Sequence, residues 1–185
     1  FVEDYGKKKD QAPAATVEAE DGYSGMFPEI LQWDERWGYS PYGTSIIAVS
    51  GCGPTCVSML VVGLTGDKTV TPSVVADYAT QNHYVDENND TTWAFMTSGV
   101  EHWGLTCRES NGNESEIAKE LEAGHPVICS MRPGDFTDIG HFIILTSYNN
   151  GNVTICDPFS LENSKKSWNY SQISSQIKAV WVYSK

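Results

Sequence analysis

The chain has 185 residues, of which 40% are hydrophobic and 11% aromatic. That is enough for one domain with a core of its own and leaves little for a second. Twenty-four acids against 12 bases give a formal charge of -12, which argues against a nucleic-acid partner because phosphate contacts need Lys and Arg. The acidity either keeps the protein soluble or favours basic substrates, and no apolar run approaches the length of a membrane span.

Residues 1–22 are charged and Ala-rich with little hydrophobic period, and read as a tail or linker, with the domain proper at 23–185. The chain opens on Phe1 rather than Met, as a processed or trimmed form would, and a lost signal peptide or lipid anchor fits that reading. Cys52 to Leu64 is predicted to be a buried helix, since Val57, Leu60, Val61 and Leu64 recur at helical spacing. Thr71-Pro72 opens a second helix, with Thr as cap and Pro in the first helical position. Trp93, Met96, Val100 and Trp103 suggest a third. A fourth starts at Asn113, with Glu116 placed for a capping box and Gly124 at its end. Asp86-Glu87-Asn88-Asn89-Asp90 is oxygen-rich but lacks the glycine and distal Glu of a calcium loop, and reads as a solvated loop. Trp93, Trp103, Trp168 and Trp181 are expected to pack the core.

Strands follow. Residues 126–132 and 140–148 are apolar runs, Asn149-Asn150-Gly151-Asn152 is a hairpin turn signal, and residues 152–158 return as its partner; residues 179–184 close the sheet. Helices first and an antiparallel sheet second predict an α+β domain.

The five cysteines, Cys52, Cys56, Cys107, Cys129 and Cys156, form no CxxC pair and no zinc spacing, so no metal is expected; no phosphate-binding glycine loop occurs, so no nucleotide or other cofactor is expected either. Cys107, Cys129 and Cys156 lie in strand-like surroundings and read as core residues, with a disulfide among them left open. Cys52 stands apart. It lies in Ser50-Gly51-Cys52-Gly53-Pro54, at the start of the buried helix, where the macrodipole favours a thiolate. Gly51 is expected to permit a tight entry and Gly53 to leave room for a substrate backbone. Taken alone, Cys52 is equally readable as a small core residue.

A thiol nucleophile needs a base, and the base an orienter. His83, His102 and His125 sit in surface or structural contexts. His141 opens an apolar strand after Gly140, and Asp157 lies on the returning strand, opposite it or within a diagonal step. A carboxylate there would hold one ring nitrogen and leave the other for the thiol. Gln32, twenty residues upstream of Cys52, can supply an amide to an oxyanion, beside the Cys52 backbone N–H, or can be a polar neighbour of Trp33 and Trp37.

Gln32-Trp33-Asp34-Glu35-Arg36-Trp37-Gly38, Ser50-Gly51-Cys52-Gly53-Pro54-Thr55, Gly140-His141-Phe142 and Asp157-Pro158, in that order, resemble the papain-like cysteine peptidases related to the bacteriocin-processing, double-glycine leader peptidases. The resemblance covers about residues 27–184. It implies a papain-like fold, a peptide or protein substrate and a Cys52, His141, Asp157 triad with Gln32 helping the oxyanion hole. Gln32 stands further from the cysteine than in the transporter-linked leader peptidases, and no membrane domain is fused here. The chain is more similar to the stand-alone, exported or cell-surface bacterial branch, so leader specificity does not carry over. Peptide-bond hydrolysis through a thioester is the expected activity. Transfer to an amine, cleavage of cell-wall amides, or a silent cell-surface binding module remain as alternatives.

Overall fold

The computed structural model describes residues 1–185. Its centre is α1 (Cys52–Thr65), buried from Gly53 to Val62 and closed by Gly66 in the left-handed region at φ 77°. Left-handed backbone at a helix end is what selects glycine there. Pro54 fits the first turn, where no intrahelical N–H donor is needed. α2 (Pro72–Gln81) packs on α1, with the Thr71 hydroxyl accepting from Val74 N at 3.3 Å as predicted for a cap.

The expected third helix breaks in two. α3 (Trp93–Thr97) gives way to a 3-10 turn, Gly99–Trp103. Phe95 occupies the space that a side chain at position 99 would need, with a Cβ there only 2.3 Å from the ring. Helix α4 (Glu114–Glu122) starts beside Asn113, whose Oδ1 accepts from Ser115 N. The expected capping box does not close. Glu116 is instead held by Arg108 at 2.6 Å and Ser110 at 3.0 Å. Two strong donors on a neighbouring strand outcompete a local one.

Six antiparallel strands form the sheet: β1 (Thr106–Ser110), β2 (Val127–Met131), β3 (His141–Asn149), β4 (Asn152–Cys156), β5 (Trp168–Asn169) and β6 (Ile177–Ser184), in the order β1-β6-β2-β3-β4-β5. Side chains alternate across it. Ile128, Phe142, Ile144 and Trp181 join α1 in one core, while Cys129, Ile143, Leu145 and Val182 join Ile117 and Leu121 of α4 in another. Covering on both faces explains why β2 and β3 read as continuous apolar runs rather than alternating ones. β1 was invisible in the sequence because Thr-Cys-Arg-Glu-Ser is polar and half-exposed, as an edge strand can be.

The β3–β4 hairpin turns on Asn150 and Gly151, at φ 50° and 83°, with Asn149 paired to Asn152. Positive φ at both central residues is the turn that matches strand twist, and Asn-Gly supplies it. Between Leu145 and Ser147 the register shifts by one residue, leaving Thr146 as a bulge.

Residues 1–22, expected as a tail, lie against the domain. Phe1 stacks on Tyr39 with ring centroids 4.1 Å apart, Lys8 pairs with Glu35, and Val17 is buried in the α1 core. Isolated anchors of this kind leave no periodic trace in a charged segment. All five cysteines are free. No helix is long and apolar enough to cross a membrane.

Candidate active site

Cys52 is the first residue of α1. A short helix, Ile47–Ser50, runs into it through Gly51, at φ -91°. Glycine is required there by space, not by handedness, because a Cβ would lie 2.5 Å from the Ile47 carbonyl oxygen. Gly53 plays a different part from the one expected. The room beside it is filled by Thr91, whose Oγ1 would stand 2.2 Å from a Cβ, so Gly53 admits the 91–93 loop rather than a substrate. Thr91 in turn bonds the Tyr42 hydroxyl.

His141 and Asp157 are both buried, and the imidazole Nε2 meets Asp157 Oδ1 at 2.7 Å. An ionised carboxylate only accepts, so Nε2 carries the proton and Nδ1 is left for the thiol. The β-bulge makes this pairing possible. Ile144 faces Cys156 across the ladder, so Asp157 follows on the side of Ile143 and hence of His141. Had the Ser147–Thr154 register continued unbroken, Asp157 would face Ile144 and point to the opposite side of the sheet.

Asp157 is fixed at every polar atom. Phe159 N donates to Oδ1 at 2.9 Å, Asn163 Nδ2 to Oδ2 at 2.9 Å, and its own N–H donates to Ser164 Oγ at 2.8 Å. Phe159 then presents its ring edge-on to His141, with centroids 6.4 Å apart, and the Trp33 indole N–H holds the Phe159 carbonyl. Burial alone would pull the His141 pKa down. The hydrogen bonds to Asp157 and Cys52, and their charges, outweigh it and lift the imidazole to about 9.

The half-buried Cys52 opens with His141 onto a cleft of two arms. One, about 430 Å³, runs past Trp93, Ser130 and Lys178. The other, about 620 Å³, runs past Gln32, Phe159, Asp135 and Asp138. Ile139, 88% exposed, and Gly140 form the wall between them. The structure brings all four sequence-predicted residues to this place. Gln32 is buried, with Nε2 donating to Ala48 O at 3.2 Å and its backbone N–H to Pro158 O at 2.7 Å. The second N–H of Nε2 and the unpartnered Oε1 remain for other partners.

Burial pushes Cys56, Cys129 and Cys156 well up, and Cys107 up to about 11. Cys56 donates its proton to Phe142 O. His102 stacks on Tyr78 and His125 bonds Glu120, both away from the cleft.

Several site residues were not foreseen. Trp93, expected in the core, is 44% exposed on the cleft, and the loop Asp86–Asp90 lines it as well as meeting solvent. Nothing local marks either as a cleft wall, because Gly53 and Thr91 are brought together only by the fold. Asn163 and Ser164 carried a faint signal in the helix start at Ser160, whose hydroxyl caps Asn163 N.

A family model described as "Peptidase_C39 like family" matches residues 25–185. Among solved structures, the peptidase domain of Streptococcus ComA, described as a bi-functional ABC transporter involved in a quorum-sensing pathway, superposes with a TM-score of 0.54 at 12% identity; the match covers 74% of this chain and 93% of that one. That similarity establishes the fold as the papain-like fold of C39 peptidase domains. A Bacillus anthracis protein taken to be a C39-like peptidase matches with a TM-score of 0.44 at 16% identity, over 92% of this chain and 97% of that one. No curated protein sequence matches the chain.

Proposed function

The chain belongs to the Peptidase_C39 like family, and on that premise we propose that it hydrolyses peptide bonds with Cys52 as nucleophile, His141 as base and Asp157 as the residue that orients the base. His141 takes the Cys52 proton through Nδ1, or the two rest as an ion pair. The sulfur attacks the amide carbonyl carbon. The oxyanion is met by the Cys52 backbone N–H at the head of α1 and by the free N–H of Gln32. His141 returns its proton to the leaving amine, the C–N bond breaks, and a thioester stays on Cys52. Water, deprotonated by His141, then releases the carboxylate and the thiol.

The observation that carries this reading is the 2.7 Å bond between His141 and Asp157, both buried, at the mouth where Cys52 opens on two cleft arms. His102 stacks on Tyr78 and His125 bonds Glu120, and neither lines this cleft. A silent binding module would be favoured by a blocked cleft, and Cys52 is partly exposed. The test is a peptide mixture derived from whole-cell digests, with products read by mass spectrometry. Cys52→Ala should abolish cleavage while the circular dichroism stays unchanged. Products ending in a new carboxylate indicate hydrolysis, and a new amide indicates transfer. Native alkylation by iodoacetamide should mark Cys52 ahead of the four other thiols; equal rates at all five would overturn the proposal.

A further inference from the structure

The smaller cleft arm holds a cation that the chemistry above does not use. Lys178 is the one Lys or Arg lining either arm, in a chain where acids outnumber bases two to one. It forms no ion pair within the protein. Its ammonium lies 5.6 Å from the centroid of Trp93, which is braced edge-on by Trp181. An aromatic face holds a cation in place without neutralising it.

Local backbone structure delivers Lys178 to that spot. Ile177 pairs with Met131 and Ala179 with Ser130, so Lys178 is the extra residue of a β-bulge in β6. Bulges beside active sites re-aim one side chain out of the ladder's alternation. The ladder also sets Ser130 next to it. Ser130 is 8% exposed and lines the same arm, and its hydroxyl makes no hydrogen bond within the protein. A hydroxyl that lines the arm without a partner in the protein is free to donate to a ligand there. Ser130 pairs with Phe142, the residue after His141, and Ser130, Lys178 and His141 all line this arm.

We propose that Lys178 and Ser130 form a subsite for a carboxylate of the peptide substrate, an Asp or Glu side chain close to the cleaved bond. Lys178 supplies the charge, Ser130 the directed O–H donor, and Trp93 the platform that keeps the ammonium from wandering. Neither acid on the same arm, Asp86 or Asp90, pairs with Lys178. Asp86 Oδ1 accepts from Asn88 N and Asp90 N, both at 2.9 Å, which orders its own loop. This inference rests on Cys52 being the nucleophile of the preceding reading.

The test uses iodoacetyl-capped tripeptides, which alkylate Cys52 without turnover, alongside the digest-derived peptide mixture. Members carrying Asp or Glu should label Cys52 about fivefold to tenfold faster than their Asn or Gln counterparts, the size expected of one charge-assisted contact in a partly exposed site. Lys178→Met should bring the two to parity. Lys178→Glu should turn the preference towards Lys-bearing members, and Ser130→Ala should weaken it. The same acidic position should emerge in the cleaved digest. Equal labelling of acid and amide members, faster labelling by Lys-bearing members in the wild type, or a preference unmoved by Lys178→Glu would overturn the subsite. Acid-selective labelling without any cleavage would sustain the subsite and sink hydrolysis; cleavage without acid preference would do the reverse.

Discussion

Asp157→Asn isolates what the buried imidazole gains from a charge. The substitution keeps the shape of the side chain and one acceptor oxygen, so the hairpin and its turn are retained. Wild-type His141 is lifted from its ordinary 6.5 to about 9, a change worth about 3 kcal/mol at about 1.4 kcal/mol per pKa unit. A raised histidine pKa stabilises the fold in full below pH 6.5 and loses that contribution as the pH climbs through about 9. Without the carboxylate, burial pulls the ring towards the neutral form. Urea unfolding at pH 6, 7.5 and 9.5 should therefore show a wild-type advantage whose pH-dependent part is largest at pH 6, up to about 3 kcal/mol since Cys52 supplies some of the lift, and nearly gone at pH 9.5. Proton NMR of the His141 ring should place its titration near 9 in the wild type and well lower in the variant. Peptide cleavage should fall steeply in the variant, because the neutral amide neither fixes the tautomer nor stabilises the imidazolium. A stability gap that stays constant from pH 6 to 9.5, or a wild-type His141 titrating near 6.5, would refute the reasoning.

Deleting Thr146 takes out the extra residue of the β3 bulge and leaves Leu145 opposite Ile155, so Asp157 stays on the side of His141; cleavage and the high His141 titration should both survive, and their loss would mean that the bulge itself positions the pair. Gly53→Ala forces a methyl onto Thr91, and this overpacking should cost about 1–3 kcal/mol in thermal unfolding and lower cleavage by displacing the cleft wall. Thr71→Ala removes the cap of α2, far from the cleft; it should cost about 1 kcal/mol with cleavage unchanged, and a loss of activity there would mean that α2 bears on the site.

The sequence by itself determined the elements whose signals are local. The buried helix from Cys52, the Thr-Pro start of α2, the Asn-Gly turn and the strands on either side of it follow from period, cap and turn chemistry, each set within a few neighbouring residues. The candidate nucleophile, base, orienter and amide were legible for the same reason, since each sits beside a helix start, a strand end or a turn. Tertiary structure alone decided what depends on distance. The Thr146 bulge chose the face on which Asp157 emerges, the fit of Thr91 against Gly53 turned a polar loop into a cleft wall, and the Lys178 bulge pointed a cation at the smaller cleft arm. A one-residue slip in a ladder reverses every side chain beyond it. No local pattern in these residues announces such a slip, because it is settled by what the two sheet faces have to cover.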